Sequence, residues 1–136
     1  MPSTPNFQSN PYKGARPRCW IRIRLVGLDG STYERDMLAD SGSPCAVILG
    51  ADDLNLLSHG TAARANTNFG RMAGGWLRLA MPEFALTDLV RGFGSNEVLK
   101  AVQTDCPDFC GLVGLPLLRM LEYGGNRTSF WIRELV

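Results

Sequence analysis

From Cys19 to Val26 the chain alternates. Cys19, Ile21, Ile23 and Leu25 line up on one face, and Arg22 and Arg24 stand on the other. A period of two is the signature of a half-buried strand, whose successive side chains point to opposite sides, and a helix cannot present it. Asp29-Gly30 supplies a turn, and residues 31–39 return as a second strand that delivers Asp40 at its end. Gly and Pro, 15 and 8 of 136 residues, exceed the usual combined share of roughly 12%. Short strands joined by tight turns are therefore predicted, with few long helices. A chain of this length makes one domain and buries roughly two-thirds of its unfolded surface, so it needs neither disulfide nor metal to fold.

The same reading continues along the chain. Residues 1–17 hold four of the eight prolines and little apolar pattern, so they read as a flexible arm preceding a domain at 18–136. Residues 45–49 form a wholly apolar buried strand, and 52–57 make one or two helical turns capped by Asp52. Strands are expected at 66–72, 76–81 and 84–93, with Ala73-Gly74-Gly75 as a turn between the first two. Residues 97–103 fit either a short helix capped by Ser95 or Asn96, or a strand. Residues 109–113 are apolar and end at Gly114. The best helix is predicted over 115–123, with Pro116 in its first turn and Gly124 beyond its end. An aromatic strand, 129–135, closes the chain.

Several function classes are excluded by composition. The formal charge of +1 leaves no electrostatic footprint for nucleic acid or an anionic membrane. No run reaches the ~18 apolar residues of a membrane span. No basic region precedes an apolar block at the start, so a cytoplasmic location and free thiols are expected. Cys106 and Cys110 have no second pair or His cluster to complete a zinc site, and neither metal nor cofactor is expected. Cys45 and the single histidine, His59, lack a third orienting group, and Asp52-Asp53 reads as a helix start. Trp20, Trp76 and Trp131 read as core and interface aromatics.

One stretch carries chemistry: Met37-Leu38-Ala39-Asp40-Ser41-Gly42-Ser43. The strand sets the base of a carboxylate, the hydroxyl can bond to it, and the glycine admits close backbone approach. With the apolar run from Cys45 to Leu49 behind it, the stretch resembles the active-site loop of retropepsin-like aspartic proteases. Downstream, Gly111-Leu112-Val113-Gly114-Leu115-Pro116 resembles the apolar-apolar-Gly signature that precedes that family's helix. Ala73, Gly74 and Gly75 occupy the place of its glycine-bearing flap, and residues 129–135 that of its paired terminal strands. The resemblance spans residues 19–135. It departs from retroviral members at Leu115-Pro116, where an arginine often follows the glycine.

The resemblance implies a mainly β fold, a closed acid-protease barrel with one short C-terminal helix, that works as a homodimer. Asp40 would be the catalytic residue, with Ser41, Gly42 and Ser43 supporting it and Leu112, Val113 and Gly114 forming a second loop. The chain has one such Asp and is too short for two lobes. An aspartic endopeptidase would therefore bring Asp40 from each of two copies to a two-fold axis, over a peptide or protein substrate. The alternative is a non-catalytic homodimer of the same fold that binds peptides or supports assembly.

Overall fold

The computed structural model describes residues 7–67, 70–81, 83–84 and 87–135. It is mainly β, with ten strands and three short helices among those residues. Strands β2 (Trp20–Val26), β3 (Thr32–Asp40), β8 (Gly111–Gly114), β4 (Val47–Leu49), β7 (Thr87–Gly94) and β6 (Gly70–Ala80) neighbour one another in that order. A further pairing of Arg24–Val26 with Arg78–Ala80 joins β2 back to β6 and closes a six-strand barrel. Strand β5 (Thr61–Thr67) extends the sheet beyond β6 as a hairpin arm.

The alternation read from β2 now has its cause. Ile21, Ile23 and Leu25 point into the barrel and are at most 1% exposed, alongside Met37, Val47, Leu49, Leu77, Leu79 and Val113. Each such side chain contributes roughly 1.5–3 kcal/mol relative to leaving it in water. A second cluster lies outside the barrel wall, where Ile48, Met72, Phe93 and Leu112 pack with Val98 and Val102 of α2 (Asn96–Gln103). Strands β4 and β8 are thus covered on both faces, which is why they are apolar throughout. Residues 97–103 are helical, and the Ser95 hydroxyl caps them by accepting from Val98 N at 3.2 Å.

Four expectations are corrected. Residues 7–11 form strand β1 (Phe7–Pro11), which pairs with β10 (Ser129–Glu134), so this part of the N-terminal arm is built into the fold. Its inward residues are polar. Gln8 takes the Arg22 N–H on its Oε1 at 2.7 Å and donates to Arg22 O at 3.0 Å. Asn10 donates to Trp20 O at 3.0 Å. These amides satisfy β2 where β6 no longer reaches it, because backbone groups out of water need partners. A search for apolar alternation passes over such a strand. Residues 1–6, also assigned to the arm, lie outside the described residues.

Second, the helix predicted over 115–123 is only α3 (Leu115–Leu118), and Leu121–Gly125 is strand β9. Strand β10 offers β9 a ladder in which Glu122 faces Arg133 and ion-pairs with it. Tertiary pairing overrides a modest local preference. Third, residues 129–135, which the resemblance sets where terminal strands pair between copies, form a β10 that lies between β1 and β9 of the same chain, and Phe130 and Ile132 enter that chain's core. Its backbone is already partnered on both sides. Fourth, α1 (Ala51–Leu57) begins at Gly50 with no side-chain cap, and Asp53 instead ion-pairs with Arg35 at 3.0 Å.

Candidate active site

Asp40 ends β3, opposite Gly114 in a parallel register that also sets Ala39 against Val113. Strand β8 therefore lies between β3 and β4, although β4 follows β3 in the chain. The connecting residues 41–46 must cross the end of β8. They are tied down as they do so: Ser43 O accepts from Leu115 N at 3.0 Å, and Ala46 O accepts from Gly114 N at 2.9 Å. Gly114 has no side chain for a steric reason, since an added Cβ would overlap the carbonyl oxygens of Cys45 and Ser43. The two motifs, remote in sequence, form one structural unit.

Within the loop, Ser43 N donates to Asp40 O at 3.1 Å, and Gly42 N donates to Asp40 Oδ1 at 3.0 Å. The carboxylate is aimed by the backbone of its own loop. Its Oδ2 and the Ser41 hydroxyl have no hydrogen-bond partner among the described residues, and both residues are exposed. Ser43 is turned inward and is buried, exchanging bonds with Cys45 N and O at 3.2 and 3.3 Å. Ser43 is thus a brace, while Asp40 and Ser41 face outward.

A cleft of about 360 Å³ opens beside Asp40. Gly42, Ser43, Pro44, Cys45, Ile48 and Leu112 line one side, and Asn66, Thr67 and Met72 of the β5–β6 hairpin line the other. On the opposite flank of Asp40 lies a groove bordered by Arg18, Leu38 and the α2 residues Val98, Ala101 and Val102. Asp40 sits between the two hollows. Strand β6 changes its covered face along its length: Leu77 and Leu79 fill the barrel, whereas Met72, on the other face, turns toward the cleft.

The sequence-predicted residues divide accordingly. Asp40, Ser41, Gly42 and Ser43 come together with Leu112 and Gly114, and Val113 points into the barrel core. Ala73, Gly74 and Gly75 lie within β6, paired with β7 and, for the glycines, with β5, so they are not a turn. Their small size has a packing cause: a Cβ at Gly74 would strike Ala63 O, and one at Gly75 would come within 2.6 Å of Ser58 Oγ. The hairpin residues over the cleft are Asn66, Thr67 and Met72. The strand expected at 66–72 held that signal, but nothing local told which end of the hairpin faces the cleft. Pro44 and Ile48, which line the cleft, were also missed.

The other polar candidates have structural partners. His59 Nε2 donates to Val26 O at 2.6 Å. Trp20 donates from Nε1 to Pro11 O at 2.6 Å and lies under Lys13, 3.7 Å from the ring centre. Burial pushes the Cys45, Cys19 and Cys110 thiols above their ordinary values, which disfavours thiolate chemistry. Among the described residues no group of three or more His, Cys, Asp and Glu is placed to hold a metal ion, and no helix is long and apolar enough to cross a membrane. Comparisons with known protein families, curated proteins and solved structures give no match to this chain.

Proposed function

We propose that the chain is an aspartic endopeptidase that works as a homodimer, with Asp40 from each copy meeting at a two-fold axis. The carrying observation is the Asp40 loop itself: an outward carboxylate aimed by Gly42 N, beside Gly114, at the mouth of a cleft overhung by a hairpin. Two carboxylates in close contact cannot both ionise readily, so one holds a proton. The ionised Asp40 removes a proton from water as its oxygen attacks the scissile carbonyl carbon. The protonated Asp40 donates to the carbonyl oxygen, and collapse of the adduct breaks the C–N bond while the leaving amine takes up a proton. Only water and the peptide are consumed. Ser41 is exposed beside Asp40, and in this reading its hydroxyl braces the meeting of the two loops.

In this reading the β5–β6 hairpin is the flap, with Asn66, Thr67 and Met72 toward substrate and Ala73, Gly74 and Gly75 in its stem. The dimer forms through the Asp40 face and not by pairing at β10, whose edges are taken. The test is a peptide-library cleavage assay at several pH values, with and without a pepstatin-type inhibitor, run alongside sedimentation across a dilution series. Specific activity should fall as the dimer dissociates. Activity that stays constant down to a proven monomer would sink the shared-site mechanism. A dimer that cuts no peptide would instead fit the non-catalytic binding module.

A further inference from the structure

The cleft beside Asp40 continues past Pro44 and Cys45 into a second groove of about 360 Å³. The two hollows share Pro44, Cys45, Asn66 and Thr67, so they form one trough under the β5–β6 hairpin. Ala46, Ala65, Phe93 and Pro116 make the second groove largely apolar, and among the described residues that line it only Arg91 of β7 is charged. Arg91 is exposed but held in place. Its Nη2 donates to Ala63 O at 2.8 Å, and its guanidinium lies over the Phe93 ring, 5.0 Å from the centre. Neither contact neutralises it. Among the described residues no carboxylate pairs with Arg91, whereas Arg18, Arg22 and Arg35 each have one. Its charge reaches the groove wall, where it opposes the rise that burial imposes on the Cys45 thiol.

We propose that Arg91 makes this groove a subsite for an acidic side chain, Asp or Glu, of an extended peptide lying across Asp40. The inference rests on the protease reading and names the substrate class of that site. An oriented guanidinium offers a planar fork of donors that a carboxylate matches with two parallel bonds, and apolar walls strengthen the attraction. An extended peptide repeats each face every ~6.6 Å, so the residue over Arg91 is a fixed number of places from the cut bond.

The experiment uses peptides that differ only in carrying Glu, Gln or Lys at each position in turn around one cleavage site. They are assayed with wild type, Arg91→Gln and Arg91→Glu. At one position wild type should favour Glu over Gln by about tenfold in kcat/KM, as a charged hydrogen bond supports. That ratio should collapse in Arg91→Gln and give way to a preference for Lys in Arg91→Glu. It should also shrink below about pH 4, where the substrate Glu is neutralised. A wild type indifferent to Glu everywhere, or a Glu preference that both variants keep, overturns the subsite. A second arm does not depend on hydrolysis: fluorescently labelled Glu and Gln peptides are titrated with Asp40→Asn, with and without Arg91→Gln. An Arg91-dependent Glu preference there, with no cleavage by wild type, retains the subsite and removes the protease reading. Equal affinity or no binding, with no Arg91-dependent cleavage ratio, removes the subsite.

Discussion

Asp36 and Asp40 stand on the same strand and, by its pleat, on the same side of it. Asp36 receives Arg22 Nε at 2.8 Å and Lys13 Nζ at 3.0 Å, and its side chain is 17% exposed. Burial alone would raise its carboxyl, but the hydrogen bonds and charges of Arg22 and Lys13 outweigh that and hold it below the usual carboxylate value. Among the described residues no cation pairs with Asp40, and its carboxylate takes one backbone bond, from Gly42. The same residue type thus ends as a paired ion in one place and an open carboxylate in the other. The difference comes from the neighbours. Strand β2 and the N-terminal segment bring cations to Asp36, whereas β8 brings only Gly114 to Asp40.

On the proposed mechanism the largest effect should come from Asp40→Asn, which would remove the acid/base and should lower peptide cleavage by about a thousandfold or more. Thermal melts of that variant should match wild type. Asp36→Asn should show the reverse, with turnover kept and stability lost; equal loss of turnover in both would erase the contrast. Gly114→Ala should damage the Asp40 side through packing, because its methyl meets two fixed carbonyls. About 3 kcal/mol of stability should go, read by denaturant unfolding, and an unchanged midpoint would show that the crossing loop can yield. Asp36→Asn should cost about 1–3 kcal/mol, since Lys13 and Arg22 lose their shared partner.

The smallest effect is in pH. A carboxylate depressed in the folded state stabilises it above its unfolded value of about 3.9, and that contribution is lost as pH falls toward the lower folded value. The Tm gap between wild type and Asp36→Asn should therefore be constant near neutrality and narrow below about pH 4. A gap that persists at pH 2 would assign the loss to packing and not to charge.

Much of this was legible locally. The alternation of β2 and the all-apolar β4 are properties of short windows, and the structure keeps them, whereas residues 97–103 fitted helix and strand alike until Val98 and Val102 packed against the outer face of the barrel. That Asp40 ends a strand and is followed by a tight loop was legible because those residues are adjacent. Strand β1 was not, because Gln8 and Asn10 are inward polar residues whose partners, the backbones of Arg22 and Trp20, are set by the fold. Strand β9 was not, because Leu117, Leu118 and Leu121 suit a helix until β10 offers a ladder.

By itself the sequence determined a mainly β chain and singled out Asp40-Ser41-Gly42 as its one chemical feature, since side-chain period and turn chemistry act over a few residues. Only the tertiary structure decided that β8 lies between β3 and β4, that Gly114 passes beneath the loop, and that Asn66, Thr67, Met72 and Arg91 border the trough. Those relations join distant residues through hydrogen bonds and excluded volume that exist only once the barrel has closed, so no local pattern records them.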